Sequence, residues 1–173
     1  MVWRRALVRV AKEHSLRLYP NAESIQAFSK TDLLSALEDA EGIIFIVAHS
    51  SGTHIVFSSG DRIEITPADI AKLRFRRNPF IFLRVCFGAD DGFASAFMKA
   101  GAMAVWANRG VMEAPFAVRQ LASFLGEIRG GLSIYAAIQR VRVSDGRAME
   151  DTVLVTHVSK RGSSNRRYEV RYR

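Results

Sequence analysis

Ile43-Ile44-Phe45-Ile46-Val47-Ala48 and Phe80-Ile81-Phe82-Leu83-Arg84-Val85-Cys86 are the two stretches that decide the fold. The first is an unbroken β-branched and aromatic run, and the second is nearly so. A run with no polar face suits a strand buried on both sides, as in a parallel sheet covered by helices. Ala102 to Ala107 supplies a third strand of this kind. A short helical segment, Phe93 to Ala100, precedes it and closes at Gly101. This alternation predicts an α/β fold with a mainly parallel central sheet and helices on both faces.

Outward from these strands the signals are local. His54 to Phe57 and Arg62 to Ile65 flank Ser58-Ser59-Gly60-Asp61, which reads as a hairpin after the first strand. Thr66-Pro67-Ala68-Asp69 is a helix start, with a capping hydroxyl and proline at the first helical position. Thr31 is expected to cap a helix carrying Leu33, Leu34, Leu37 and Ala40, with Asp32 beside its positive end and Gly42 after it. Nearer the start, Trp3, Leu7, Val10 and Ala11 recur at helical spacing over Trp3 to His14, and Ser15 to Tyr19 alternates like a short strand. Leu121, Phe124, Leu125 and Ile128 form one helical stripe. After Gly130-Gly131, Leu132, Tyr135, Ile138 and Val141 form a second. Two short β-like runs, Thr152 to Val158 and Tyr168 to Tyr172, surround the polar turn Gly162-Ser163-Ser164-Asn165. No repeat, low-complexity tract or linker interrupts the pattern, so residues 1–173 are expected to form a single domain.

The totals narrow the class. At 173 residues, with 49% hydrophobic and 24% charged residues, the composition is that of a globular domain able to bury a core without staples. The single cysteine excludes an intrachain disulfide and suits a reducing compartment. The apolar run from Ile43 to Ala48 is far shorter than the ~20 residues of a membrane span. Arg4, Arg5 and Arg9 interrupt any apolar core of a signal peptide, so a soluble, cytoplasmic protein without membrane association is expected. The formal charge is +8, with arginines concentrated at Arg4, Arg5 and Arg9 and again at Arg161, Arg166, Arg167, Arg171 and Arg173. Such a surface attracts polyanions. No nucleic-acid-binding motif accompanies it, so nucleic acid is a possible partner that is not favoured.

In parallel sheets, sites form where loops leave the carboxyl ends of strands. His49 follows the strand ending at Ala48, and Ser50-Ser51-Gly52 turns the chain away. Cys86 ends the strand begun at Phe80, and Phe87-Gly88-Ala89-Asp90-Asp91-Gly92 forms the loop beyond. If the two strands are neighbours, both side chains emerge at one edge of the sheet. A thiolate that attacks a carbonyl and an imidazole that protonates the leaving amine need that placement. Singly, each residue reads more blandly, the cysteine as a small buried hydrophobe and the histidine as a hydrogen-bonded structural group. Their joint placement marks the candidate pair. Trp106, Asn108 and Arg109 follow the third strand and could line the cleft, although a tryptophan there suits the core equally well. His14, His54 and His157 are assigned to structure or surface.

The histidine after the strand from Ile43 to Ala48, the hairpin, and Leu83-Arg84-Val85-Cys86-Phe87-Gly88 together resemble the caspase-like cysteine peptidases, and within them the CHAT branch. The segment from Phe93 through Gly101-Ala102 to Trp106 looks like that branch's helix, Gly-Ala pair and hydrophobic strand. Gly131-Leu132-Ser133-Ile134-Tyr135-Ala136-Ala137-Ile138 looks like its late helix. The resemblance spans roughly residues 30 to 142. It implies Cys86 as nucleophile and His49 as general acid and base in a dyad, with the oxyanion held by the backbone N–H groups of Cys86 and Ser50. It implies no metal and no cofactor. One of Asp90 and Asp91 would line the pocket for the residue before the scissile bond and select lysine or arginine. The plainer reading makes both solvated loop carboxylates or caps of the following helix.

Three features depart from the family pattern. Ser50 stands where glycine commonly follows the histidine, Arg84 and Val85 stand where small residues commonly precede the cysteine, and the sequence starts almost at its first helix, where the family normally has a strand before it. The resemblance implies a protein substrate and a regulatory protein partner, as in bacterial defence or regulated-death systems. The competing expectations are a catalytically inactive interaction module of the same fold and a basic nucleic-acid-binding domain.

Overall fold

The computed structural model describes Val10 and residues 29–59, 61–90, 92–144 and 152–156. The rest of the helix expected over Trp3 to His14, the run from Ser15 to Tyr19, the run from Tyr168 to Tyr172 and Asp91 lie outside the described residues. In chain order the elements are helix α1 (Lys30–Asp39), strands β1 (Ile43–Val47), β2 (His49–Ser50), β3 (Ile55–Ser59) and β4 (Asp61–Ile65), helix α2 (Pro67–Ile70), strand β5 (Phe80–Arg84), helix α3 (Phe93–Ala100), strand β6 (Ala104–Asn108), helices α4 (Ala114–Arg129) and α5 (Ile134–Ser144), and strand β7 (Thr152–Thr156).

The fold is α/β. Among the described residues a four-stranded sheet runs in the order β1-β5-β6-β7, and β2-β3-β4 form a separate three-stranded sheet. β1 pairs with β5, and β5 with β6, in parallel. β7 adds antiparallel to β6, an exception to the parallel pattern at one edge. The hairpin of β3 and β4 is present, with Ile55 opposite Ile65 and Phe57 opposite Ile63.

Period-two alternation sorts the central strands onto two faces. Ile81, Leu83 and Val85 pack with α1 through Leu33 and Leu37, with Ile70 of α2 and with Phe93 and Phe97 of α3. Phe80, Phe82 and Trp106 pack on the other face with Val118, Leu121 and Phe124 of α4, with Ala137 and Ile138 of α5, and with Val10. Helices therefore lie over both faces, and β5 and β6 between them are buried throughout. The ring of Phe82 meets Trp106 edge-on with centroids 4.9 Å apart, and Phe124 leans on both.

Three local expectations need correction. β1, expected to be buried on both faces, is half-buried along most of its length, and among the described residues it has a neighbour on one side only. The cap of α1 is Ser29 rather than Thr31: Ser29 Oγ accepts from Asp32 N–H, and Asp32 accepts from Ser29 N–H in return. The strand leading to the cysteine stops at Arg84, and Cys86 lies in the turn beyond it. The proline-led helix start holds, with Thr66 and Asp69 forming a reciprocal box around Pro67. No helix among the described residues is long and apolar enough to cross a membrane.

Candidate functional site

The parallel register of β1 and β5 fixes the frame of the site. Val47 is the last paired residue of β1 and stands opposite Arg84, the last residue of β5. Ala48 N–H then donates to Arg84 O at 3.4 Å, so the two chains leave the sheet together. His49 lies two residues beyond Val47 and Cys86 two residues beyond Arg84. Neighbouring strands run about 4.8 Å apart, so equal offsets bring both residues to one edge.

From that edge the two segments take different routes. His49 and Ser50 become β2 and pair with Val56 and Ile55 of β3. Ser51 N–H donates to His54 O at 3.0 Å, which makes Ser51 and His54 a hydrogen-bonded pair of this antiparallel ladder. Hydrogen-bonded and non-hydrogen-bonded pairs alternate, so Ser50 N–H points away from β3. Ser50 Oγ accepts from Gly52 N–H at 3.1 Å, and Gly52 takes the positive φ that the turn requires. The His49 side chain is exposed and makes no hydrogen bond among the described residues.

The cysteine segment is tied to the end of β6. Phe87 N–H donates to Gly110 O at 2.7 Å and Ala89 N–H to Asn108 O at 3.0 Å. Gly88 N–H donates back to Val85 O at 3.2 Å, which tightens the turn around Cys86. Phe87 adopts φ +57°, the left-handed region, and its ring stands 40% exposed. Cys86 is half-buried, and its own N–H has no acceptor among the described residues. The Sγ accepts from Met112 N–H at 3.5 Å and lies 4.0 Å from Met112 O. No hydrogen bond joins His49 to Cys86.

Asp90 is exposed, and its N–H closes a turn onto Phe87 O at 3.0 Å. Trp106 and Asn108 belong to β6 itself and are fully buried, so they form core rather than cleft wall. His54 meets the hydroxyl of its neighbour Thr53 at 2.7 Å, a surface pairing. Among the described residues no cluster of His, Cys, Asp and Glu could hold a metal ion.

The chain matches no protein-family model and no curated protein.

Two participants escape a reading of the sequence. Met112 reaches Cys86 from 26 positions away, and nothing local in Val111-Met112-Glu113 marks that contact. Arg84 did carry a signal, a lone charge at the end of an apolar run. Its side chain is buried and donates to Gln120 Oε1, Leu83 O and Trp106 O. Those last two acceptors belong to adjacent strands, so Arg84 clips β5 to β6 directly beneath the loops that follow them.

Proposed function

We propose that this chain is a cysteine endopeptidase of the caspase-like, CHAT-resembling kind, acting on a protein substrate through His49 and Cys86 in the cytoplasm. The observation that carries the reading is the β1–β5 register, from which both residues leave the sheet edge at equal offset. In the reaction the Cys86 thiolate attacks the scissile carbonyl carbon and the carbonyl oxygen takes up negative charge. N–H groups of Cys86 and Ser50 receive that oxyanion. The Cys86 N–H without an acceptor and the Ser50 N–H directed away from β3 support this role. His49 delivers a proton to the departing amine nitrogen, the C–N bond breaks, and a thioester remains. Water, deprotonated by His49, then releases the acid product. One of Asp90 and Asp91 is proposed to select lysine or arginine before the scissile bond.

Catalysis needs the imidazole within reach of the sulfur, and the sulfur here engages the Met112 backbone instead. A regulatory protein that shifts the Met112 segment is proposed to complete the pair. The same contact favours a second reading, an inactive interaction module in which Cys86 is a structural thiol.

Alkylation of Cys86 by iodoacetamide at pH 7 separates the two. The peptidase reading expects His49→Ala to react several-fold more slowly than wild type. It also expects peptide-library cleavage that disappears in Cys86→Ala. Equal alkylation in both proteins, with no cleavage either alone or in an extract of the source cells that supplies the proposed regulator, favours the inactive module.

A further inference from the structure

Arg84 is 1% exposed, and every partner it has is neutral. Its guanidinium carbon lies 4.1 Å from the ring centroid of Phe82 and 4.1 Å from that of Trp106, so aromatic faces press on it from β5 and β6. Nη1 donates to Leu83 O at 3.0 Å and to Trp106 O at 2.8 Å. Nε donates to Gln120 Oε1 at 2.8 Å. No carboxylate pairs with it among the described residues. Burial pulls the guanidinium down to about 9, which leaves it cationic at neutral pH. A buried cation without a counter-charge is strongly disfavoured.

The buried polar atoms left over on β5, β6 and α4 beside it are three donors and one acceptor, Asn108 Oδ1. Arg84 Nη2, Gln120 Nε2 and Trp106 Nε1 are buried and have no hydrogen-bond partner among the described residues. Gln120 and Trp106 are as buried as Arg84 itself. Nε–H and Nη2–H leave the same edge of the planar guanidinium, the edge that carboxylates engage with two oxygens. Gln120 Oε1 fills one position of that fork and the other stands open. The Gln120 orientation is fixed by chemistry, because a flipped amide would set two donors against each other.

We propose that Arg84, Gln120 and Trp106 form a buried receptor for a small monocarboxylate, placed beneath the β5–β6 loops. One oxygen of the ligand accepts from Arg84 Nη2. The remaining lone pairs accept from Gln120 Nε2 and from the indole N–H. The single negative charge balances the single buried cation. Closure of the site selects a compact free anion over a hydrated phosphate dianion. This receptor stands independently of the peptidase reading, since neither His49 nor Cys86 contributes to it.

The test is the thermal unfolding midpoint of the full chain in sodium formate, with sodium gluconate at matched ionic strength as a carboxylate too bulky to enter. Formate should raise the midpoint by about 3–6 °C per tenfold increase once it exceeds its dissociation constant, and gluconate should not. Arg84→Met removes the cation and should abolish the response. Gln120→Glu keeps the protein usable if Arg84→Met does not fold. It supplies a carboxylate from within, and should raise the midpoint while erasing the formate dependence. Acetyl-aspartyl amide, about as bulky as gluconate, replaces formate in a further arm, and a response to it alone overturns the proposal of a compact free anion. Equal effects of formate and gluconate overturn the proposal, as does a formate response undiminished in either variant. Water bridging toward the unpartnered Asn108 Oδ1 would then satisfy the donors.

Discussion

The main-chain N–H of Met112 points at the Sγ of Cys86 from 3.5 Å, so the only cysteine of the chain serves as a hydrogen-bond acceptor for the segment that leads into α4. That bond is partly buried, and a donor stripped of its acceptor in such a place costs about 1 kcal/mol or more. Cys86→Ala is therefore expected to lose about 1 kcal/mol in urea unfolding. Cys86→Ser, which restores an acceptor, should recover most of it. A loss of peptide cleavage common to both variants then reports on the thiol rather than on folding.

Phe87 next to it is held with φ +57°, where an L-residue pays about 1–2 kcal/mol for its Cβ. The turn tolerates this because Phe87 N–H and Asp90 N–H both close hydrogen bonds around it, donating to Gly110 O and to Phe87 O respectively. Glycine adopts that conformation freely, and the ring it would remove is 40% exposed. Phe87→Gly is expected to leave the unfolding free energy unchanged or raise it by up to about 1 kcal/mol. Phe87→Val, β-branched in the left-handed region, should lower it by at least about 1 kcal/mol.

How far the sequence announces this arrangement depends on the range of the interaction. The runs from Ile43 and from Phe80 carry their strand character in every residue, and the strands formed within them pair in parallel as expected. Which strand sits at the edge is set by sheet order, and sheet order is a long-range property. The run from Ile43 reads as buried on both faces, yet β1 is half-buried and, among the described residues, has a neighbour on one side only. The cap of α1 went to Ser29 because Ser29 and Thr31 are both able hydroxyl caps. Asp32 falls three residues after Ser29, and so completes a reciprocal box there. His49 and Cys86 were legible as residues past the carboxyl ends of two apolar runs, although Cys86 falls in the turn two residues beyond β5. The Met112 contact and the Arg84–Gln120 bond span 26 and 36 positions, and no periodicity reaches across such distances.

Gly88 is needed for space rather than for its backbone angle. A Cβ there would stand 3.1 Å from Val85 Cγ2 and 3.2 Å from Leu83 Cδ2, both on fully buried side chains that have no room to retreat. Gly88→Ala is expected to cost about 1–2 kcal/mol, the usual range for overpacking a filled core. Because the strain falls between β5 and the turn carrying Cys86, the alkylation rate of Cys86 should change as well. Unchanged stability together with an unchanged rate would show that the turn absorbs the methyl group elsewhere.

Asp69 gives the fold an acid-sensitive joint. Partial burial pushes its carboxyl up. Hydrogen bonds from Lys30 Nζ at 2.7 Å and from Thr66 N and Oγ1, both at 2.8 Å, together outweigh that and hold it at about 2, below the ordinary 3.8. The native state thus binds this proton less tightly than the unfolded chain. The stabilisation is full above about pH 4 and disappears as pH falls through about 2. Its size is about 2 kcal/mol, from the difference between the two values. Wild-type protein should therefore lose stability over that window more steeply than Asp69→Asn, which has no proton to bind there. Thr66→Ala should cost about 1 kcal/mol at neutral pH through the lost cap and should also shallow the acid slope. Because Lys30 belongs to α1 and Asp69 to α2, Lys30→Met should reduce the slope without touching the cap. Parallel slopes for wild type and Asp69→Asn between pH 4 and 2 would show that the joint contributes nothing to acid unfolding.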